Sequence, residues 1–341
     1  MSPVTELCII VPAHNAADHL GRCLDALLAD GIARESITVV DDASTDGTGE
    51  IAKNRGIAVI RRDTQGGPGV ARNTAVVATS APLILFVDAD VAICKGTYAQ
   101  ILSAFEGENA PDAVFGSYDD APEAQRLLSR YRNLLHHHTH QTGNHDAESF
   151  WTGIGAITRR RFVDLGGFDP RLRYLEDVEL GLRIIADGGR IALIPEIQGT
   201  HLKNWTLRSM FMTDWKGRAV PWARLIAEGR IGMGRLSTSL LHRANALLVL
   251  LLLASLLCAV AEPRSLILSI GLTLAFVVLN LAFFRLLWSK GGASLAIASI
   301  AFHALHYIAA LLGLAEVRLL KPTTKTSGQP GTHIATDHSD L

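Results

Sequence analysis

An α/β domain with a mainly parallel sheet, followed by interfacial and transmembrane helices, is the fold class this sequence predicts. Three observations predict it. Short β runs alternate with amphipathic stretches over the first 200 residues, three of those runs end in polar side chains, and the C-terminal third collects the long apolar stretches.

The expected strands are Leu7 to Val11, Ile37 to Val40, Ala58 to Ile60, Leu83 to Val87, Ala113 to Phe115 and Ile191 to Ile194. Between them, residues 17 to 30, 46 to 55 and 69 to 79 carry apolar side chains at helical spacing. This βαβ alternation implies a sheet covered on both faces. Open sheets of that kind bind ligands just beyond the carboxyl ends of their strands. Here those ends read "VPAHN" (11 to 15), "VVDDAS" (39 to 44) and "FVDAD" (86 to 90), and one pocket is expected to collect all three.

The chain has 341 residues, 48% of them hydrophobic, which is enough for one large domain and a further element. With a formal net charge of −1 there is no cationic surplus to displace counterions, which argues against nucleic-acid binding. Cys8, Cys23, Cys94 and Cys258 form no CxxC or paired framework and read as small hydrophobes in a reducing compartment.

Residues 244 to 261, 265 to 284 and 293 to 315 each approach the ~20 residues that cross a bilayer. The first two read as membrane helices, whereas His303 and His306 make the third the weaker span. The N-terminus lacks the basic and apolar regions of a signal peptide. Arg235 and Arg243 precede the first span and Lys290 follows the second, which leaves the N-terminal domain cytoplasmic. The expectation is a multi-pass protein of the cell (inner) membrane. It divides into a catalytic domain (1–203), interfacial helices (204–243), two or three membrane helices (244–317) and a disordered tail (318–341), the tail being almost free of apolar residues.

Two carboxylates one residue apart at an exposed strand end, Asp88 and Asp90, repel unless a cation sits between them. They suit Mg²⁺ or Mn²⁺, ions that keep open positions for phosphate oxygens. Asp42 can accept hydrogen bonds from a nucleobase or sugar hydroxyl. "GGPGVARN" (66 to 73) is a Gly-rich turn opening a helix, where free N–H groups and Arg72 suit an anion. The implied ligand is a nucleotide diphosphate held through a metal. Turn and cap residues would give each motif singly; their order on successive strands makes them informative.

"IIVPAHNAADHLGRCLDALL", "VVDDASTDGT", "GPGVARN", "ILFVDAD", "TGIGAITRRRFVDLGGFD" and "EDVELGLRI" stand in the order found in family 2 glycosyltransferases. The chain resembles these inverting GT-A enzymes, which use nucleotide-sugar donors, over residues 7 to 200. By that resemblance Asp42 binds the base, Asp88 the ribose or sugar side, and Pro12, His14, Asn15, Gly69, Arg72 and Ala89 line the nucleotide-sugar pocket. Asp90, with Asp88, would hold the metal, and His201 of "GTHLK" supplies a further ligand. Asp177, with Glu176 beside it, would be the catalytic base, and Trp151, Thr152 and Gly153 would face the acceptor. Ala16 stands where the family usually has an acid, and the QxxRW signature of processive synthases is missing, so chain elongation is not expected.

"YLEDVELGLRII" places Val178, Leu182 and Ile185 on one helical face, with Glu176, Asp177 and Glu179 at its start. Those acids would also complement the helix dipole alone. Trp151 offers a ring for a sugar or lipid, or core packing. "LLHHHTHQTGNH" (134 to 145) reads as a mobile acceptor-side loop in preference to a zinc site, since no cysteine accompanies its histidines. "NWTLRSMFMTDWKGRAVPWARLIAEGR" (204 to 230) mixes Trp and Phe with Arg and Lys, as helices in a headgroup layer do. The expected function is transfer of one sugar from a nucleoside diphosphate to a lipid-linked or envelope acceptor in the bilayer. The alternatives are a degenerate binding or scaffold protein and a sugar nucleotidylyltransferase.

Overall fold

The computed structural model describes residues 6–230 and 240–319. Residues 320–341, where most of the expected tail falls, and residues 231–239 before the first span lie outside the described residues.

β1 (Leu7–Ala13), β2 (Ile37–Asp42), β3 (Ala58–Arg62) and β4 (Leu83–Val87) pair in parallel in the order β3-β2-β1-β4. Every residue of β1, β2 and β4 is buried, which is why these strands read as continuous apolar runs. The helices between them are α1 (Ala17–Ala29), α2 (Thr48–Lys53) and α3 (Pro68–Val77). α1 buries Leu20, Cys23, Leu24 and Leu27, an i, i+3, i+4, i+7 stripe against one face of the sheet.

Beyond β4 the expected α/β sheet also takes in antiparallel strands. After β5 (Val91–Ile93) and α4 (Thr97–Ala104) come β6 (Ala113–Tyr118), α5 (Leu127–Gln141), β7 (Asp146–Ala147) and β8 (Ile154–Thr158). β8 inserts antiparallel between β4 and β6. With β9 at Ile191–His201, the full order is β3-β2-β1-β4-β8-β6-β9-β5, with β7 on β9. β8 is possible in "TGIGAIT" because a Cβ at Gly155 would lie 2.3 Å from the Trp151 carbonyl oxygen. α6 (Arg159–Asp164), α7 (Glu176–Ala186) and β9 (Ile191–His201) complete the domain, and one core lies on each sheet face.

Residues 127–141 are helical, which overturns the expected loop. Leu127, Leu128, Tyr131, Leu134 and Leu135 give α5 an apolar face, and it packs on the C-terminal helices. α8 (Leu207–Met212), a π-helical segment (Thr213–Ala219) and α9 (Val220–Ala227) follow the domain. α8 and Trp205 share a third core with α5 and the C-terminal helices, so part of the expected headgroup-layer segment is buried protein.

Of the C-terminal helices, α10 (Leu240–Cys258) and α12 (Leu281–Leu319) are long and apolar enough to cross a membrane, while α11 (Ser265–Leu279) is shorter. The expected second span is interrupted at Asn280, which caps α11 and whose side chain pairs with Asn245 of α10. The expected third span is the part of α12 after Gly292, where φ of 66° and ψ of −167° break the helix. It packs along the π-helical segment: His306 Nδ1 lies 3.0 Å from Asp214, Lys216 donates to Glu316 at 2.6 Å, and Gly313 abuts Ala219.

Candidate active site

The ends of β1, β2 and β4 and the start of α7 meet above the sheet. Arg72, 2% exposed on α3, sits at their centre. Its guanidinium donates to Asp88 Oδ1 at 2.6 Å and to Glu176 Oε1 at 2.7 Å. The charges of Asp88, Glu176 and Asp177 hold it protonated against its burial. Arg72, read from sequence as an anion site, is therefore already engaged by carboxylates.

Asp42 is likewise occupied. Its carboxylate accepts from the Gly66 and Gly67 N–H groups and from Arg62, at 2.8 to 3.1 Å. The N–H groups expected to hold a phosphate thus serve this side chain. Gly69 has a packing reason: a Cβ there would come within 3.0 Å of Glu176 Cγ and 3.2 Å of Phe168. Pro12 is paired with Val40 in the sheet. His14 Nδ1 contacts the Asp42 carbonyl at 2.7 Å, and Asn15, at φ 48°, accepts from Thr45 N–H through its side chain. The polar strand ends do form one rim.

The two acids of α7 face different ways. Glu176 is buried behind Arg72, while Asp177 is half-buried and its Oδ2 stands 3.4 Å from both Thr152 N and Thr152 Oγ1. Burial, then the Asp177 charge, push Glu176 up to about 7 against the pull of Arg72. Leu175 at φ 59° initiates α7, a left-handed conformation that costs a branched residue of order 1–3 kcal/mol. That turn aims the next two carboxylates into the site.

Asp90 stands on the other side of buried Ala89, with His201 Nε2 3.5 Å from its Oδ2. Burial alone would raise Asp90, yet His201, Lys203 and His19 bring it down to about 2. Asp88, by contrast, is raised, by burial before its other neighbours. His201 is 7% exposed and stacks on Tyr118 with ring centroids 4.4 Å apart. Two carboxylates and an imidazole, with Asp88 Oδ2 outside the Arg72 contact, are the donor types that would take a divalent cation with open positions. Among the described residues no group of three His, Cys, Asp or Glu side chains closes on a metal by itself, so phosphate oxygens would have to complete the coordination.

Trp151 folds over Gly153, where a Cβ would meet the indole at 2.1 Å, and it contacts Tyr118 edge-on at 4.9 Å and His140 at 4.8 Å. The histidines of α5 reach the same place but serve packing. His136 lies 3.1 Å from Arg218 and His137 2.8 Å from the Tyr118 carbonyl. Burial, then Arg218, push His140 down to about 4 and hold His136 well below its ordinary value, so both are neutral near pH 7.

Arg218, expected from sequence only among the basic residues of a headgroup-layer segment, comes from the π-helical segment. Burial, then Arg132, lower it to about 10, and it lies near enough to Asp177 and Tyr118 to feel their charges. Its partner His136 is 82 positions away, so sequence spacing carries no signal for it.

Residues 8–165 match the family described as Glycosyl transferase family 2. The chain is 31% identical over 205 residues to the succinoglycan biosynthesis protein ExoU of Rhizobium meliloti, covering 56% of this chain and 60% of that one. It is 27% identical over 238 residues to a pre-mycofactocin glycosyltransferase of Mycobacterium tuberculosis, covering 64% of this chain and 47% of the relative. The match therefore spans about half to three fifths of the length of these relatives. Among solved structures, a mannosyltransferase from Pyrobaculum calidifontis in complex with GDP-Man and Mn²⁺ superposes with a TM-score of 0.54 at 18% identity, over 91% of this chain and 86% of that one. Glucosyl-3-phosphoglycerate synthase from Mycobacterium tuberculosis, in complex with phosphoglyceric acid, does so at 0.50 and 20% identity, over 67% of this chain and 81% of that one. Residues 8–165 thus match the glycosyltransferase family 2 model, and the sheet domain shares its GT-A fold with these solved structures.

Proposed function

We propose that the protein is a membrane-anchored, inverting glycosyltransferase that moves one sugar from a nucleoside diphosphate to a hydroxyl of a membrane-associated lipid or glycolipid. The observation that carries this reading is the charge of the pocket. Asp88, Glu176 and Asp177 already claim the Arg72 guanidinium, and Asp90 adds a further carboxylate beside Asp88, so a diphosphate finds little free positive charge here unless a divalent cation enters with it. Mg²⁺ or Mn²⁺ on Asp88, Asp90 and His201 would neutralise the diphosphate leaving group as the sugar departs.

Asp177 is the acid left free to act. Glu176 is committed to Arg72, whereas among the described residues the hydrogen bonds of Asp177 go to Thr152 and to its own helix start. A carboxylate in that position takes the proton of an incoming hydroxyl while the new glycosidic bond forms on the opposite face of the anomeric carbon. A polyprenyl phosphate acceptor would arrive ionised and would not need it. Glu176 then acts as a positioning residue through Arg72.

Membrane placement rests on α10 and α11, where Leu250, Leu257, Ile267, Leu274 and Val278 are 50% to 75% exposed. Apolar exposure on that scale needs lipid around it. The mannosyltransferase that shares the fold holds GDP-Man and Mn²⁺, which supports a nucleotide-sugar donor and a divalent metal here. The experiment is a thermal-shift screen of UDP-, GDP- and dTDP-sugars with and without Mn²⁺. One donor should stabilise the protein only with metal, by ~2.7 kcal/mol at 100 times its Kd, and Asp90→Ala should abolish that shift. Full activity in excess EDTA would overturn the metal.

A further inference from the structure

One groove among the C-terminal helices belongs to no part of the active site. It arises because α12 breaks at Gly292 and its two limbs separate, while a Cβ on Gly291 would come within 2.5 Å of Leu295 at the apex. Between the limbs lies a cavity of about 280 Å³ lined by Leu281, Phe284 and Trp288 on one side and Ile297 and Ile300 on the other, with Arg285 beside them. Its lining is hydrocarbon and indole apart from that one guanidinium. Trp288 and Ile297 are 59% and 64% exposed, so the groove opens outward.

Arg285 has no hydrogen-bond or ion-pair partner among the described residues. The next cation along its helix is differently placed: Lys290 pairs with Asp120, and its carbonyl accepts from Arg130 of α5. An arginine on an apolar helix in a bilayer needs an anion, and where the protein supplies none the lipid phosphate is the group at hand. A soluble anion would gain nothing from five apolar neighbours, and in a zwitterionic lipid the headgroup cation offsets much of the phosphate's attraction to the arginine. From this juxtaposition we infer that the groove is a binding site for an anionic phospholipid, one acyl chain lying between the limbs of α12 and the phosphate on Arg285. The inference rests on the membrane placement proposed above.

The test uses the full chain in phosphatidylcholine vesicles containing an equal mole fraction of acyl-brominated phosphatidylglycerol or acyl-brominated phosphatidylcholine. Bromine quenches indole fluorescence on contact, and subtracting the signal of Trp288→Phe isolates Trp288 from the other four tryptophans. The anionic lipid should quench Trp288 at about fivefold lower mole fraction than the zwitterionic one, the preference that one arginine near an anionic surface supplies. Arg285→Gln should remove the preference and Arg285→Lys should keep most of it. Equal quenching by both lipids, or a preference that survives Arg285→Gln, would overturn the anionic site and leave the membrane placement standing. No quenching of Trp288 by either lipid, as when a second copy fills the groove or no bilayer surrounds it, would overturn the inference; retained quenching of other tryptophans would then show that the membrane reading survives.

Discussion

Single side chains in this site are set by what buries them. Asp88 and Asp90 sit two residues apart yet are driven in opposite directions, Asp88 upward by burial and Asp90 down to about 2 by His201 and Lys203. Asp90 therefore stays an anion at any working pH, ready for a cation. Asp90→Ala should reduce turnover to background while leaving the melting temperature within a few degrees, since its partner His201 keeps its stack on Tyr118; calorimetric unfolding alongside a donor-turnover assay checks both. His140 gives a pH prediction. Burial and then Arg218 push it down to about 4, from an ordinary value of about 6.5. Between those values the unfolded chain binds the extra proton, so the stability that the neutral ring contributes is present above about 6.5 and lost as pH falls toward 4. The slope is at most about 1.4 kcal/mol per pH unit, and His140→Gln should flatten it in unfolding series from pH 7 to 4.5.

At the scale of elements, legibility in the sequence followed the chemistry of burial. β1, β2 and β4 were readable because a strand covered on both faces must be apolar throughout, and their acidic or polar ends marked where solvent begins. β8 was not, because Gly153 and Gly155 weaken any β signal locally. Their reason lies in the neighbouring Trp151, whose ring and carbonyl leave no room for a Cβ. The histidines of residues 136–140 masked α5, although Leu127, Tyr131 and Leu134 already had helical spacing. Asp177 and Asp90 could be picked out from their motifs, whereas Arg218 and His136 meet only through the fold. α7 shows how closely an element can be constrained. A Cβ on Gly181 would sit 2.4 Å from Phe150 N and 2.8 Å from the Ser149 carbonyl carbon, backbone atoms that cannot rotate away. Gly181→Ala should destabilise by about 1–3 kcal/mol despite its better helix propensity, and it should lower turnover by shifting Asp177. A gain in stability would mean that α7 packs less closely on residues 149–150.

The whole molecule joins a soluble-type sheet domain to apolar helices through one shared core. Leu128, Tyr131 and Leu134 of α5 pack with Phe276, Phe283 and Leu287 of the C-terminal helices, and Tyr131 lies 3.0 Å from His303. The catalytic domain therefore does not hang on a linker; the described helices form part of its floor. On the membrane placement proposed above, the protein should stay in the membrane pellet after alkaline carbonate, and release into the supernatant would remove that placement. Transfer of sugar to a hydroxyl with Asp177 as base is tested most directly by Asp177→Asn. The substitution keeps size and removes charge, so a role limited to the helix dipole would cost about 0.3–1 kcal/mol of stability and leave activity largely intact. Turnover of Asp177→Asn, measured beside its metal-dependent donor affinity and melting temperature, should fall by at least about a hundredfold with the other two near wild type. Near-normal turnover would contradict Asp177 as the base.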